Sequence, residues 1–257
     1  MAETFPASVA ALYRHPVKGF TPEPLHRAPL SAGQAFPGDR LRAVEIGPSG
    51  FDPAAPAHIS KMRFAVLARI PEIARVRTRW DEARNVLTLS APAAPDLAIQ
   101  LGDPDHDRRL EAWLTAFLGE EATAPLRVLD GGGHRFMDDP AGAVSLLNLA
   151  SVRDLSDRIG VPVDPLRFRA NVWVEGWPAW IENDWVGRRM VLGDARLTVV
   201  KPIVRCVATH VNPASGTRDI DVLSALHDLY GHRWCGLYLS VETSGVLAVG
   251  DRAELNE

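Results

Sequence analysis

Two cysteines in 257 residues are too few for a disulfide framework. They are also too few for an iron–sulfur cluster held by four thiolates of this chain. That scarcity suits a reducing cytosol. The start, Met1-Ala2-Glu3-Thr4-Phe5-Pro6, lacks the charged n-region and apolar core of a signal peptide, so a cytoplasmic protein is expected. No apolar run approaches the length of a bilayer crossing, and no membrane partner is expected. Basic stretches are missing too: 28 Lys+Arg against 32 Asp+Glu leave a net charge of -4, with no Lys/Arg run able to track a phosphate backbone. Nucleic acid is therefore excluded as an expected partner. No G-x-G-x-x-G stands at a strand–helix junction, so no nicotinamide or flavin site is offered.

What is present is ordinary for a globular chain, 46% apolar and 23% charged, and long enough for one large domain or two modest ones. Its 20 prolines and 20 glycines are spread throughout and suit many short strands joined by tight connections. Strands are expected at Val9 to Tyr13 and Leu41 to Ile46, the second followed by a hairpin turn at Gly47-Pro48-Ser49-Gly50. Leu110, Trp113, Leu114, Phe117 and Leu118 fall on one helical face, and Gly119 sits where a C-cap belongs. A second helix is expected from about Ala150 to Ile159, with Ser151 as N-cap and Gly160 after its last turn. A third, shorter one runs from Val222 to Leu229. Gly131-Gly132-Gly133, within Asp130 to Pro140, reads as a mobile connection rather than a phosphate loop. Strands then follow at 171–175, 189–192, 196–201, 203–209, 236–242 and 246–249, a pattern that predicts a closed or nearly closed β-barrel.

The chemistry-bearing stretch is residues 198–213, two apolar runs broken at Pro202, with Cys206 in the middle of the second. Strand alternation puts Val204, Cys206 and Ala208 on one face and Ile203, Arg205, Val207 and Thr209 on the other. A lone cysteine on a strand is most often a small buried hydrophobe. Arg167, Arg169 and Asn171 alternate, which places them on one face of an extended segment. Two guanidiniums there suit either an anion, which they grip bidentately, or ordinary surface salt bridges. His210 keeps the phase of Cys206 and is a candidate proton donor. His227, His232 and Cys235 fit no common zinc spacing, and Cys235 reads as packing.

Arg167-Phe168-Arg169-Ala170-Asn171, Gly193-Asp194, Arg205-Cys206 with Thr209 and Asn212-Pro213, Gly236-Leu237-Tyr238 and Val249-Gly250-Asp251 together resemble the MOSC family, the C-terminal domain of molybdenum-cofactor sulfurases. His15-Pro16-Val17-Lys18-Gly19 and Gly38-Asp39-Arg40 resemble the barrel domain that precedes it. The resemblance implies a mixed α/β, strand-dominated fold: an N-terminal barrel-containing domain over 7–122 and a MOSC β-barrel with a few helices over 123–257. It implies a molybdenum cofactor of the molybdopterin type, with Cys206 as metal ligand or sulfur carrier. Lys18, Gly19, Arg40, Arg167, Arg169, Asn171 and Arg205 are the residues it assigns to the cofactor. The family signature has proline where this chain has Ala170, and commonly serine where it has Gly19. Pyridoxal phosphate binding is a further property associated with the family. Similarity to the amidoxime-reducing branch implies reduction of small N-hydroxylated substrates, with electrons from a separate ferredoxin or flavin reductase. The alternative is a cofactor carrier or sulfur-transfer protein working through a persulfide of Cys206.

Overall fold

The computed structural model describes residues 6–256. The residues 1–5, on which most of the signal-peptide reading rests, lie outside them. The first part of the chain forms β1 (Ser8–Arg14), β2 (Glu23–Leu25), β3 (Arg27–Leu30), β4 (Arg42–Ile46), β5 (Arg77–Asp81), β6 (Val86–Ser90), β7 (Leu97–Gln100) and helix α1 (Pro104–Leu118). There follow β8 (Leu126–Asp130), β9 (Val144–Asn148), α2 (Leu149–Ile159), β10 (Val172–Glu175), β11 (Arg189–Leu192) and β12 (Ala195–Val204). The chain ends through α3 (Val222–Tyr230), β13 (Trp234–Thr243), β14 (Gly245–Ala248) and β15 (Ala253–Asn256). Strands dominate, as the sequence pattern predicts.

The large sheet has eight strands in the order β15-β11-β12-β13-β9-β10-β1-β2. It curls until its ends nearly meet: Ser8 of β1 bridges Arg252, and Val9 N donates to Asp251 O at 2.8 Å. The curl encloses a core that includes Val9, Leu12, Leu146, Val174, Leu197 and Leu239. β9 and β10 run parallel, joined by the crossover through α2, and β9 is buried along its whole length. β1 and β2 come from the start of the chain yet complete this sheet, and β3 pairs with β14. The other early strands make a pair, β4 with β8, and a three-stranded sheet, β5-β6-β7, over a second core that takes in Leu110, Leu114 and Leu118 of α1.

Several local expectations change. Pro202 does not break a strand; β12 runs through it because the register against β13 shifts on both sides, between Val199 and Lys201 and between Pro202 and Val204. A residue without an N–H is tolerated at such irregularities. Gly47–Gly50 is not a hairpin turn, since β4 pairs with β8 rather than with the next strand. The cap of α2 is Asn148, whose side chain accepts from Ala150 N, while Ser151 is buried and donates to Glu182 Oε1 at 2.7 Å. The stretch after the glycine triplet is fastened: Phe136 is buried against Phe51 and Phe64, and its carbonyl accepts from Lys18 Nζ at 2.8 Å.

Candidate functional site

β12 ends at Val204, and the chain then turns into a short 3-10 helix, Val207–His210, with Cys206 at its N-cap. The cysteine is therefore just past the end of a strand rather than in the middle of one, half-buried, and it lines a cavity of about 330 Å³. That volume lies at the lower end of the range of small-molecule sites. Arg167 and Phe168 of the 3-10 turn Pro165–Phe168, Arg169, Met137 to Asp139 and Tyr238 of β13 are part of its lining.

Of the eight residues singled out from the sequence, Arg40, Arg167, Arg169, Asn171, Arg205 and Cys206 line the cavity, and Lys18 and Gly19 do not. The arginines are not gathered by strand alternation. Arg167 lies in the 3-10 turn and Arg169 adopts the left-handed region at φ 52°, so the chain bends between them. Arg167 is buried and engaged: Nη1 donates to His210 O at 3.0 Å, and Nη2 pairs with Asp219 at 2.7 Å. Arg205 is engaged too, with Nη1 on Phe168 O and Nε on Cys235 O, both at 2.7 Å. Because the strand ends before Cys206, Arg205 and Cys206 share the cavity instead of facing apart.

Asn171 is saturated. Its Oδ1 accepts from Ser145 N and Oγ, and its Nδ2 donates to Tyr13 O and to Asp39. An amide has two donor hydrogens and two acceptor lone pairs, so none is left for a ligand. Its place is to hold Asp39, which pairs with Arg40, and thereby to orient Arg40 toward the cavity. Lys18 is enclosed between Phe136 O and Asp138, and burial pulls its pKa down against the opposing pull of Asp138. Gly19 sits at φ 89°, where an added Cβ would fall 2.4 Å from Ala65 O. It is a packing glycine, not a wall of the cavity.

Among the described residues Arg167 and Arg169 both line the cavity with one enclosed nitrogen unpaired, Nε in Arg167 and a terminal Nη2 in Arg169. Nη1 of Arg169 donates to Phe20 O at 2.7 Å. Burial, then repulsion from Arg40, lowers its pKa to about 10. A half-buried guanidinium with an enclosed, unpaired nitrogen beside a second guanidinium suits an anion. Six cationic residues (Arg40, Lys61, Arg167, Arg169, Lys201 and Arg205) line the cavity against two acidic ones, Asp138 and Asp139. This donor set fits an anionic ligand that also presents a metal to the thiol of Cys206.

Sequence reasoning missed Lys61, whose Nζ donates to Cys206 Sγ at 3.1 Å, and the acidic pair at 138–139. Burial pushes Asp138 up, yet Lys18 and Lys61 hold it well below the usual carboxylate range. Nothing in Ser60-Lys61-Met62-Arg63 marks the lysine, and the acids lie in the stretch read as a mobile connection. His210 does not reach the cavity; its Nε2 lies 3.2 Å from Asp221, at the start of α3. Cys235 is fully buried among Leu147, Phe168 and Leu226, and burial pushes its thiol up to about 12.

Comparison with known proteins adds two family matches, the MOSC N-terminal beta barrel domain over residues 6–124 and the MOSC domain over residues 133–254. The mitochondrial amidoxime-reducing component 1 of Xenopus laevis is 35% identical over 123 residues, covering 43% of this chain and 35% of that protein. Its human counterpart is 28% identical over 216 residues, covering 65% and 62%. The molybdenum cofactor sulfurase of Caenorhabditis elegans is 33% identical over 126 residues, 48% of this chain and 17% of that protein. The chain thus aligns with about a third of the frog relative's length. Among the described residues, no helix is long and apolar enough to cross a membrane.

Proposed function

The chain belongs to the MOSC domain family, and on that footing we propose that it is a molybdenum cofactor-binding oxidoreductase that reduces small N-hydroxylated compounds with electrons from a separate donor protein. The observation that carries the reading is the half-buried Cys206 in the lining of a cation-rich cavity where Arg169 keeps one terminal nitrogen, Nη2, without a partner among the described residues. A soft thiolate suits molybdenum, and guanidinium suits a pterin phosphate. When bound, such a cofactor supplies two-electron oxygen-atom chemistry. The chain's own part is to bind and orient. Cys206 would ligate the metal, and Arg169 and Arg40 would grip the anionic group. Arg167 and Arg205 fasten the turns on either side of the cysteine to backbone carbonyls, which keeps the thiol in place. Lys18 binds the 136–138 strap, which closes one side of the cavity.

Amidoxime-reducing components and molybdenum cofactor sulfurases are both among its relatives, so a carrier or sulfur-transfer role is the second reading. One assay separates them. Protein from a host that makes the cofactor is analysed for molybdenum and pterin, then given benzamidoxime and a chemical low-potential reductant, with Cys206→Ser as control. Turnover that depends on Cys206, absent with NADH or NADPH alone and restored by a ferredoxin or flavin reductase, is the expected result. Molybdenum without turnover on any N-hydroxylated substrate would transfer the reading to the carrier. Absence of molybdenum and pterin would remove both cofactor readings.

A further inference from the structure

One side chain from the first half of the chain reaches the sulfur itself. Lys61 opens a single 3-10 turn, Lys61–Arg63, capped by Ser60 and followed by the buried Phe64. That anchorage carries Lys61 Nζ to 3.1 Å from Cys206 Sγ, across 145 residues of sequence. Among the described residues the ammonium makes no other hydrogen bond. The ammonium also feels the charge of Asp138, itself bound to the enclosed Lys18. A neutral thiol accepts hydrogen bonds weakly, whereas a sulfur anion accepts them strongly from an ammonium. Both partners line the same cavity, so the pair faces the space a ligand would occupy.

We propose that Lys61 is a positioning residue for Cys206, its ammonium fixing the sulfur at the cavity wall and setting a positive charge against it. The proposal rests on the reading of Cys206 as the ligating or sulfur-carrying group. It makes the site a joint product of the two family segments, since Lys61 lies in residues 6–124 and Cys206 in residues 133–254. It applies equally to a reductase and to a carrier.

The test begins with full-length protein from a host that cannot make the pterin, where the thiol is free. Alkylation of Cys206 by anionic iodoacetate and by neutral iodoacetamide is followed by peptide mass, and the ratio of the two rates is taken. A unit charge about 6 Å from the reagent's carboxylate, in water-like surroundings, favours the anionic reagent by about threefold. Lys61→Met is therefore expected to lower the ratio about threefold, Lys61→Gln to do the same, and Lys61→Arg to restore it. Cys235, fully buried, serves as the unreactive internal reference. In protein from a cofactor-producing host, molybdenum content should fall in Lys61→Met and recover in Lys61→Arg. A folded Lys61→Met or Lys61→Gln protein with the wild-type ratio overturns the proposal, as does failure of Lys61→Arg to restore it. If the ratios behave as expected but the wild-type chain never takes up molybdenum, Lys61 keeps its place and the cofactor reading falls.

Discussion

Arg167 and Arg169 are two residues apart, line one cavity and should fail in opposite ways when removed. Arg167 ties the 3-10 turn before β10 to the turn after Cys206, through His210 O at 3.0 Å and Asp219 at 2.7 Å. Hydrogen bonds to a charged group contribute about 1.5–3 kcal/mol each, and the pair with the part-exposed Asp219 belongs at the low end of that range. Arg167→Ala should therefore lose about 3 kcal/mol, or about 6–12 °C of Tm for a chain of this size. Arg169 keeps one hydrogen bond, to Phe20 O, of similar size. Against it stands the burial of its charge beside Arg40, which lowers its pKa from 12.5 to about 10. That shift corresponds to roughly 3 kcal/mol against the folded, charged state. The two effects nearly cancel, so Arg169→Ala should change the stability of the cofactor-free protein by no more than about 1 kcal/mol. Its loss should appear instead as cofactor retention lower by about one to two decades, the value of one charge-assisted contact. Urea unfolding of the cofactor-free variants, paired with molybdenum and pterin content after gel filtration, reads both quantities. Equal destabilisation by the two substitutions, or full cofactor retention in Arg169→Ala, would refute the assignment.

Two further outcomes follow from buried groups. His15 is fully enclosed, neither ring nitrogen has a partner among the described residues, and burial followed by the charges of Arg40 and Arg169 holds its pKa well below 6.5. The unfolded chain protonates His15 below pH 6.5 while the folded one does not, so its contribution is intact above that pH and declines as pH falls toward the folded value. Between pH 7.5 and 5.5 wild type should lose about 1.4 kcal/mol more than His15→Gln in urea unfolding, and parallel pH profiles would contradict the account. Gly19→Ser restores the residue common in the family, yet places a Cβ 2.4 Å from Ala65 O at φ 89°. Left-handed strain and overlap with the backbone should together cost about 2–5 kcal/mol, and an unchanged urea midpoint would show that the segment yields easily.

The sequence revealed what has a period. The α1 face from Leu110 to Leu118 and its Gly119 cap stand as expected, because a buried stripe with a glycine stop leaves a local signature. β11 lies at the expected 189–192, and α3 differs by one residue at its end. Periodicity also misled where tertiary pairing takes over. Alternation carried the strand past Val204 through Cys206, but the pairing of β12 with β13 ends at Val204 opposite Trp234. After that point side chains share in holding the polypeptide, Arg205 and Arg167 gripping carbonyls on other segments, and such grips have no sequence spacing. The same is true of the pairing of β1 with β10, which lies more than a hundred residues away.

The site shows the same division between local and distant causes. Arg167-Phe168-Arg169-Ala170-Asn171 pointed to the cavity as a group, yet an extended segment was the wrong reason for it. The 3-10 turn and the left-handed Arg169 separate the two guanidiniums, sending one into a network and leaving the other with a free Nη2. Asn171 matches its motif for a structural cause, because it fastens Ser145, Tyr13 and Asp39 at once. Lys61 carried no motif at all. A single lysine gains its chemistry only when Phe64 is buried and Asp138 is drawn in by Lys18, and each of those is a contact between segments far apart in sequence. A thiol can be found in a sequence because cysteine is rare in it, whereas the charge that makes the thiol useful comes from one of 28 basic residues and is identified only by where the fold brings it.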